Sequence, residues 1–382
     1  ISVTGVQTCA LPISTVVGDW GNNHLVALAN GKETNMRTIA MAALLVSGFI
    51  SSAIAPLAPE NRPAPRYAEL PTADILPIGE FSVLTYNVKG LPWPTATGRP
   101  RALAEIGNAL ADMRANGTAP QIVVLQEAFT AEARAIAVRA GYPYVVYGPG
   151  ADDPPTASKR HSGGQRSFWK GETLGPLMSS GLVLMSEYPL HDIRRATYGA
   201  DACAGYDCLA NKGAVSARFD VPGIAVPVEI ITTHTNSNPA SGRPEPVNRL
   251  AYARQLQALG QFAVGNAADP AIRIYAGDFN VGHTPPRLAL LQDFITRHHA
   301  KAGSAQGRSQ YSSACASDPA ACRSGLAIPA NVPLVHANDW QFTSDPEGLA
   351  IIPVARDTMF GPDEHGRQLS DHLGLKITYR IR

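Results

Sequence analysis

Residues 226–280 read VPVEIITTHTNSNPASGRPEPVNRLAYARQLQALGQFAVGNAADPAIRIYAGDFN, and the alternation inside this stretch sets the fold class. Residues 226–233 are rich in β-branched side chains and read as a strand. Leu250, Ala253, Leu256 and Leu259 recur at three-residue steps, so 247–262 reads as a helix with these four on one face. Residues 272–275 return to a strand pattern and run into Gly277. Strand, helix and strand in succession place the chain in the α/β class. Polar groups close both strands: His234 in TTHTN, then Asp278 and Asn280 in AGDFN.

The same grammar extends outward. FSVLTYNV (81–88) and IVVLQE (122–127) read as strands, ending on Asn87 and Glu127. Leu103, Ile106, Leu110 and Met113 mark an amphipathic helix between them. An Ala-rich helix at 131–140 and a strand at 144–147 follow. Gly, Pro, Ser and Lys dominate 148–178, which reads as a long loop. Strands are expected at 181–186 and 214–219, with an irregular, Cys-containing segment between them. Downstream come a helix at 286–297, a loop over 300–335, and strands near 339–343, 350–354 and 373–379. No repeat of 20 to 50 residues interrupts this order. Strands and helices mixed without strict alternation predict two packed sheets with helices outside, as one domain over 80–382.

The chain has 382 residues, 45% of them hydrophobic and 16% charged, with a formal net charge of +1. That balance lacks the basic excess by which proteins usually grip nucleic acid through counterion release. Residues 1–14 (ISVTGVQTCALPIS) resemble the translation of a sequencing-adapter fragment, so 1–35 is read as a non-native leader and Met36 as the start. Arg37, the apolar run 39–50 and Ala53-Ile54-Ala55 then form the three-part layout of a secretory signal peptide over 36–55. The run is too short to span a bilayer, and a Pro-rich leader (56–79) follows it. Cys203, Cys208, Cys315 and Cys322 fall in two close pairs, which predicts local disulfides and an oxidising compartment. Together these features predict a protein that is secreted or periplasmic, has no transmembrane segment and is monomeric.

Each strand-end polar group is ordinary alone, since a lone His is usually structural and Gly-Asp-x-Asn suits a turn. The set is not ordinary. Glu127, Asn87 and Asp371 are hard oxygen ligands of the kind Mg²⁺ takes. His234 and His372 can donate to phosphate oxygens or exchange protons, and Asp278 can orient or deprotonate water. Asn280 can hydrogen-bond a phosphoryl oxygen. Phosphate-ester cleavage needs these roles together.

The ordered motifs TYN, LQE, THTN, GDFN and SDH resemble the endonuclease/exonuclease/phosphatase superfamily, the DNase I-like fold, from about residue 81 to the C-terminus. The resemblance implies a four-layer α/β/β/α sandwich of two mixed β-sheets flanked by helices. It implies that Glu127 is the central metal ligand with Asn87 beside it and Asp371 as a further metal-side carboxylate. Asp278 takes the role of the base that aligns water, Asn280 supports it, and His234 and His372 hold the scissile phosphate. NDWQF supplies Asp339 to orient His372, with Gln341 where the family usually has an aliphatic residue. Mg²⁺ is the implied cofactor, with Mn²⁺ or Ca²⁺ as alternatives.

LANKGAV, preceded by a Cys-containing stretch, is similar to a segment of secreted bacterial sphingomyelinases, which implies that Asn211 and Lys212 lie at the substrate phosphate. Departures accompany it. Thr235 and Asn236 follow the central His, where those enzymes have an apolar residue and Gln. Tyr311 is the sole aromatic residue of 300–335, where they carry an aromatic hairpin that enters membranes. Phe168 and Trp169 in the long loop offer another peripheral membrane contact. The reading is a sphingomyelinase- or phospholipase C-like phosphodiesterase. The alternatives are a secreted non-specific endonuclease acting on nucleic acid and a non-catalytic binding subunit on the same scaffold.

Overall fold

The computed structural model describes residues 79–155, 166–238, 240–265, 270–282, 284–301, 338–346 and 349–382. All of them fall in a compact unit, Glu69–Arg382. The element order is β1 (Glu80–Asn87), α1 (Arg99–Ala115), β2 (Ile122–Gln126), α2 (Ala131–Ala140), β3 (Tyr144–Tyr147), β4 (Val183–Ser186), β5 (His191–Thr197), β6 (Gly213–Phe219), β7 (Val228–His234), α3 (Glu245–Val264), β8 (Ile272–Asp278), α4 (Pro285–Lys301), β9 (Asp339–Ser344), β10 (Ile351–Met359) and β11 (Gly374–Ile381).

The strands form a six-stranded sheet, β10-β11-β1-β2-β4-β3, and a five-stranded sheet, β5-β6-β7-β8-β9. Parallel and antiparallel pairs occur in both, so both are mixed. β1 shows why its sequence reads as one apolar run. Phe81 and Val83 enter the core shared with the five-stranded sheet, whereas Leu84 and Tyr86 face Leu103, Ile106 and Leu110 of α1 and Ile136 of α2. Both faces are covered, so both sets of alternating positions are apolar. α3 and α4 cover the outer face of the five-stranded sheet through Tyr252, Leu256, Leu259, Leu291 and Phe294. This is the expected four-layer sandwich.

Local signals fix the ends. Thr130 Oγ1 accepts from the Ala133 amide at the start of α2, and Gly141 closes it at φ 74°. Gly277, in the GD motif, sits so close to β7 that a Cβ there would lie 2.2 Å from the Thr233 carbonyl oxygen. Glycine therefore lets β7 and β8 pair tightly at the end that carries the polar motifs.

Two expectations are corrected. The segment expected to be irregular before residue 214 contains β5, an edge strand pairing with β6. Its HDIRRAT sequence is polar because most of it faces solvent, so it lacks an apolar alternation. The inward face of α3 is also different. Leu250 is half exposed, while Asn248, Tyr252 and Gln255 are fully buried. The helix turns a polar stripe inward because the loop after His234 needs its hydrogen bonds. The Cys203–Cys208 disulfide is present as expected. The 36–55 segment, the expected 300–335 loop beyond residue 301 (300 and 301 instead end α4) and the Cys315–Cys322 pair lie outside the described residues. Among the described residues, no helix is long and apolar enough to cross a membrane.

Candidate active site

Parallel β7 and β8 place His234 opposite Asp278, and antiparallel β8 and β9 place Asp278 opposite Asp339. Three motifs far apart in sequence thus form one row across the end of the five-stranded sheet. The six-stranded sheet brings Asn87 at the end of β1 and Glu127 just beyond β2 to the same place. Asn87 Nδ2 donates to Glu127 Oε1 at 3.0 Å and to Asp278 Oδ2 at 3.0 Å. One amide therefore joins the two sheets at the site. His372, in the turn before β11, reaches Asp339 Oδ2 through Nδ1 at 2.7 Å and lies 3.9 Å from Asp278 Oδ2 through Nε2.

Two of these residues hold left-handed backbones: Glu127 at φ 58° and Asn280 at φ 47°. Asn tolerates this conformation well. Such strain costs about 1–3 kcal/mol and persists where the surroundings over-determine it. The Ala128 amide donates to the Gly181 carbonyl and the Phe129 amide to Glu127's own, which pins the turn. The Asn280 amide donates to Asp278 Oδ1, and Asn280 Nδ2 to the Thr235 carbonyl.

The charges are sorted by these contacts. Burial alone would lower His372, but the hydrogen bond and charge of Asp339, with Asp278 and Asp371 nearby, outweigh it and hold the imidazole at about 10. Burial drives His234 down to about 3, helped by the Lys212 ammonium 3.5 Å from its Nε2. Burial opposes ionisation of Asp278, but His234, His372, Asn87 and the Asn280 amide together lower its pKa. At neutral pH the site thus pairs an imidazolium, His372, with a neutral imidazole, His234, around an ionised Asp278. Burial raises Glu127, and the neighbouring Asp278 raises it further.

A cavity of about 990 Å³ collects these groups, lined by Glu127, Lys212, His234, Asp278, Asn280, Asp371 and His372 on its polar side. Leu91, Pro92, Phe129, Met178 and Leu209 line the remainder. The sequence profile of the Endonuclease/Exonuclease/phosphatase family matches residues 84–356, well over half of the chain. The chain belongs to the endonuclease/exonuclease/phosphatase family.

A sphingomyelinase of Mycobacterium tuberculosis (strain ATCC 25618 / H37Rv) is 29% identical over 217 residues, 56% of this chain and 36% of that protein. The match thus spans little more than a third of the relative's length. Among solved structures, a beta toxin double mutant from Staphylococcus aureus with bound magnesium ions has a TM-score of 0.52 at 16% identity, covering 78% of this chain and 99% of that one. Sphingomyelinase C from Streptomyces griseocarneus has a TM-score of 0.52 at 19% identity, with 78% and 99% covered. At such identities these two likenesses establish the fold.

Within this endonuclease/exonuclease/phosphatase site, most expected residues converge and three are placed differently. Asn211 is turned away from the cavity: its amide donates to the carbonyls of Gly150, Ala151 and Asp153. It staples the loop after β3, which corrects the expectation that it touches a substrate phosphate. Asp371 lines the cavity mouth, yet its Oδ2 pairs with Lys89 at 2.8 Å. Asn87 presents its amide nitrogen to the carboxylates, because its Oδ1 accepts from the Lys89 amide. Lys212 is buried against the site, held by Asp207 at 2.9 Å and the Thr235 carbonyl at 2.8 Å. Asp207 went unread in the sequence. The available signal was an acidic residue inside the short Cys203–Cys208 loop, next to the NKG motif.

The donor chemistry fits a hard divalent cation on the Glu127 side. Glu127 and Asp278 are two carboxylates bridged by a neutral amide, an arrangement that a cation relieves. Donor atoms of Asp278, Asp339 and His372 also lie within 4.8 Å of one another. There, however, His372 and Asp339 already neutralise each other as an ion pair. The Glu127 side is the better fit.

Proposed function

We propose that this chain is a secreted, divalent-metal-dependent phosphodiesterase of the sphingomyelinase or phospholipase C type. The observation that carries this reading is the row His234, Asp278 and Asp339 closed by His372 and faced by Glu127 across one cavity. The family supports a phosphoric ester hydrolase, and the mycobacterial relative supports a lipid substrate.

The residues divide the work. Glu127, with Asp278 adjacent, would hold the ion, which when bound supplies positive charge to the phosphate, and Asn87 Nδ2 positions the two carboxylates. Asp278, ionised and fixed by two hydrogen bonds, orients an attacking water and accepts its proton. His372 keeps Nδ1 on Asp339, so its Nε2–H is free to donate to a phosphoryl oxygen. Lys212 adds a second cation on the His234 side, where its ammonium faces Nε2 of the neutral His234 at 3.5 Å. Charge on the phosphoryl group is thereby met by preorganised groups in a partly dry site.

The cavity's surroundings favour a lipid ester. Trp93, between cavity-lining Pro92 and Thr95, is 80% exposed, and Trp169 is 79% exposed. Phe168 packs edge-on against Trp169, and Lys170 lies over the ring of the cavity residue Tyr206. Amphipathic aromatics beside a lysine suit a membrane–water interface, so peripheral membrane contact belongs to this reading.

The test is a side-by-side assay on sphingomyelin, phosphatidylcholine and plasmid DNA, each with Mg²⁺ and with EDTA. Phosphocholine release from lipid in Mg²⁺ and none in EDTA is expected. Nicking of plasmid without lipid turnover moves the protein to the nucleases. Turnover that survives EDTA removes the metal from the reading.

A further inference from the structure

Arg287 breaks local rules. It is fully buried on the first turn of α4, where a helix dipole disfavours a cation. Among the described residues no carboxylate forms an ion pair with it, and its Nε and Nη2 have no hydrogen-bond partner. The carboxylates whose charge reaches it are Asp207, Glu245 and Asp278. Buried cations are usually paired, and sequences that break such rules usually do so at functional sites.

Its remaining contacts say what it does. Nη1 donates to the Asn236 carbonyl at 2.6 Å and to the Asn280 carbonyl at 2.8 Å, and the guanidinium lies over the Tyr252 ring of α3. Asn236 stands two residues beyond His234, and Asn280 two beyond Asp278. The same two loops are tied by the Thr235 amide to the Asp278 carbonyl and by Asn280 Nδ2 to the Thr235 carbonyl. On its other side Asn236 is held by Gln255 of α3 and by the Ala204 amide.

We propose that Arg287 is a positioning residue: one guanidinium nitrogen clamps the carbonyls of Asn236 and Asn280, fixing the spacing between His234 and the Asp278–Asn280 turn. This rests on the phosphodiesterase reading of that site. The clamp acts from behind, through the backbone, and never meets the substrate. It also holds the left-handed conformation of Asn280, whose carbonyl is one of its two acceptors. A lysine keeps the charge, but its rotatable ammonium lacks the planar group that lies over the Tyr252 ring, so it holds the two carbonyls less rigidly.

The test uses the full chain with a soluble aryl phosphodiester in Mg²⁺. R287M, of similar bulk without donors, is expected to lower kcat by about a hundredfold with KM changed little, as a misplacement of about 1 Å does. R287K is expected between R287M and wild type. In an N280A background, R287M is expected to add little further loss, because both act through the same turn. Wild-type kcat in a folded R287M, or full additivity with N280A, overturns the proposal. Should R287M not fold, R287K decides: a wild-type kcat overturns the clamp and a reduced one supports it. An inactive wild-type protein would instead sink the phosphodiesterase reading itself, so the two failures are distinguishable.

Discussion

The two sheets meet the site with opposite chemistry. The six-stranded sheet brings Asn87 and Glu127, an amide and an incompletely paired carboxylate. The five-stranded sheet brings a neutral His234 beside Asp278, together with Asp339, whose charge is met by His372 before any ligand arrives. Under the proposed metal-dependent reading, an ion would finish the first side, and the second is finished by its own residues. The difference teaches that the two halves should fail differently: loss on the five-stranded side should appear in kcat, and loss on the six-stranded side in metal dependence.

His372→Ala attacks the finished side and carries the largest expected effect. It removes the imidazolium and leaves Asp339 buried without its partner. A fall in kcat of about 10³-fold is expected from losing a positioned proton donor. Steady-state kinetics with Mg²⁺ in excess measures it, and a near-wild-type kcat breaks the assignment. Glu127→Gln attacks the other side. The Mg²⁺ concentration for half-maximal activity should rise by about tenfold or more, with part of the activity regained at high metal. An unchanged Mg²⁺ titration would remove Glu127 from the ligand set.

Asp339→Asn sharpens the contrast through pH. His372 sits at about 10 in the folded protein, above the ordinary imidazole value of about 6.5. Its raised pKa contributes stability that is fully present below about 6.5 and lost as pH rises through about 10. Asn at 339 removes the chief upward contribution. The imidazolium then dissociates at lower pH, so the alkaline limb of kcat/KM should move down. The dependence of urea midpoint on pH between those values should flatten. A pH profile identical to wild type would separate His372 from Asp339.

How much of this was legible in the sequence follows the same division. The strand-end motifs were readable because chemistry-bearing residues sit at fixed strand termini, where register alone brings His234, Asp278 and Asp339 side by side. The supporting layer was not. Asn248 and Gln255 hold the loop after His234, so α3 buries a polar stripe and exposes Leu250, contrary to its leucine spacing. Asn211 followed a motif whose meaning is local: Gly213 of the same motif is required because a Cβ there would lie 2.0 Å from the Ala196 carbonyl oxygen. Arg287 carries no periodic signal, since its acceptors are backbone carbonyls that any residue type can supply.

The smallest expected effect concerns the seam between the sheets. Gln341 of β9 is fully buried and points into the six-stranded sheet, while Trp340 and Phe342 point the other way. Its Nε2 donates to the carbonyls of Val83 on β1 and Leu375 on β11, and its Oε1 accepts from the Tyr379 hydroxyl of β11. A polar residue at this position is therefore satisfied, and it pins β9 to the sheet that carries Asn87. Gln341→Leu keeps comparable bulk but strands the Tyr379 hydroxyl, which should cost about 1–3 kcal/mol in urea unfolding. Because Asp339 lies two residues along β9, a pin that also sets the sheet-to-sheet distance would lower kcat in the same variant. Stability lost with kcat intact would show that other links, Asn87 Nδ2 to Asp278 and Gln126 Nε2 to Thr232 among them, keep the two halves in register.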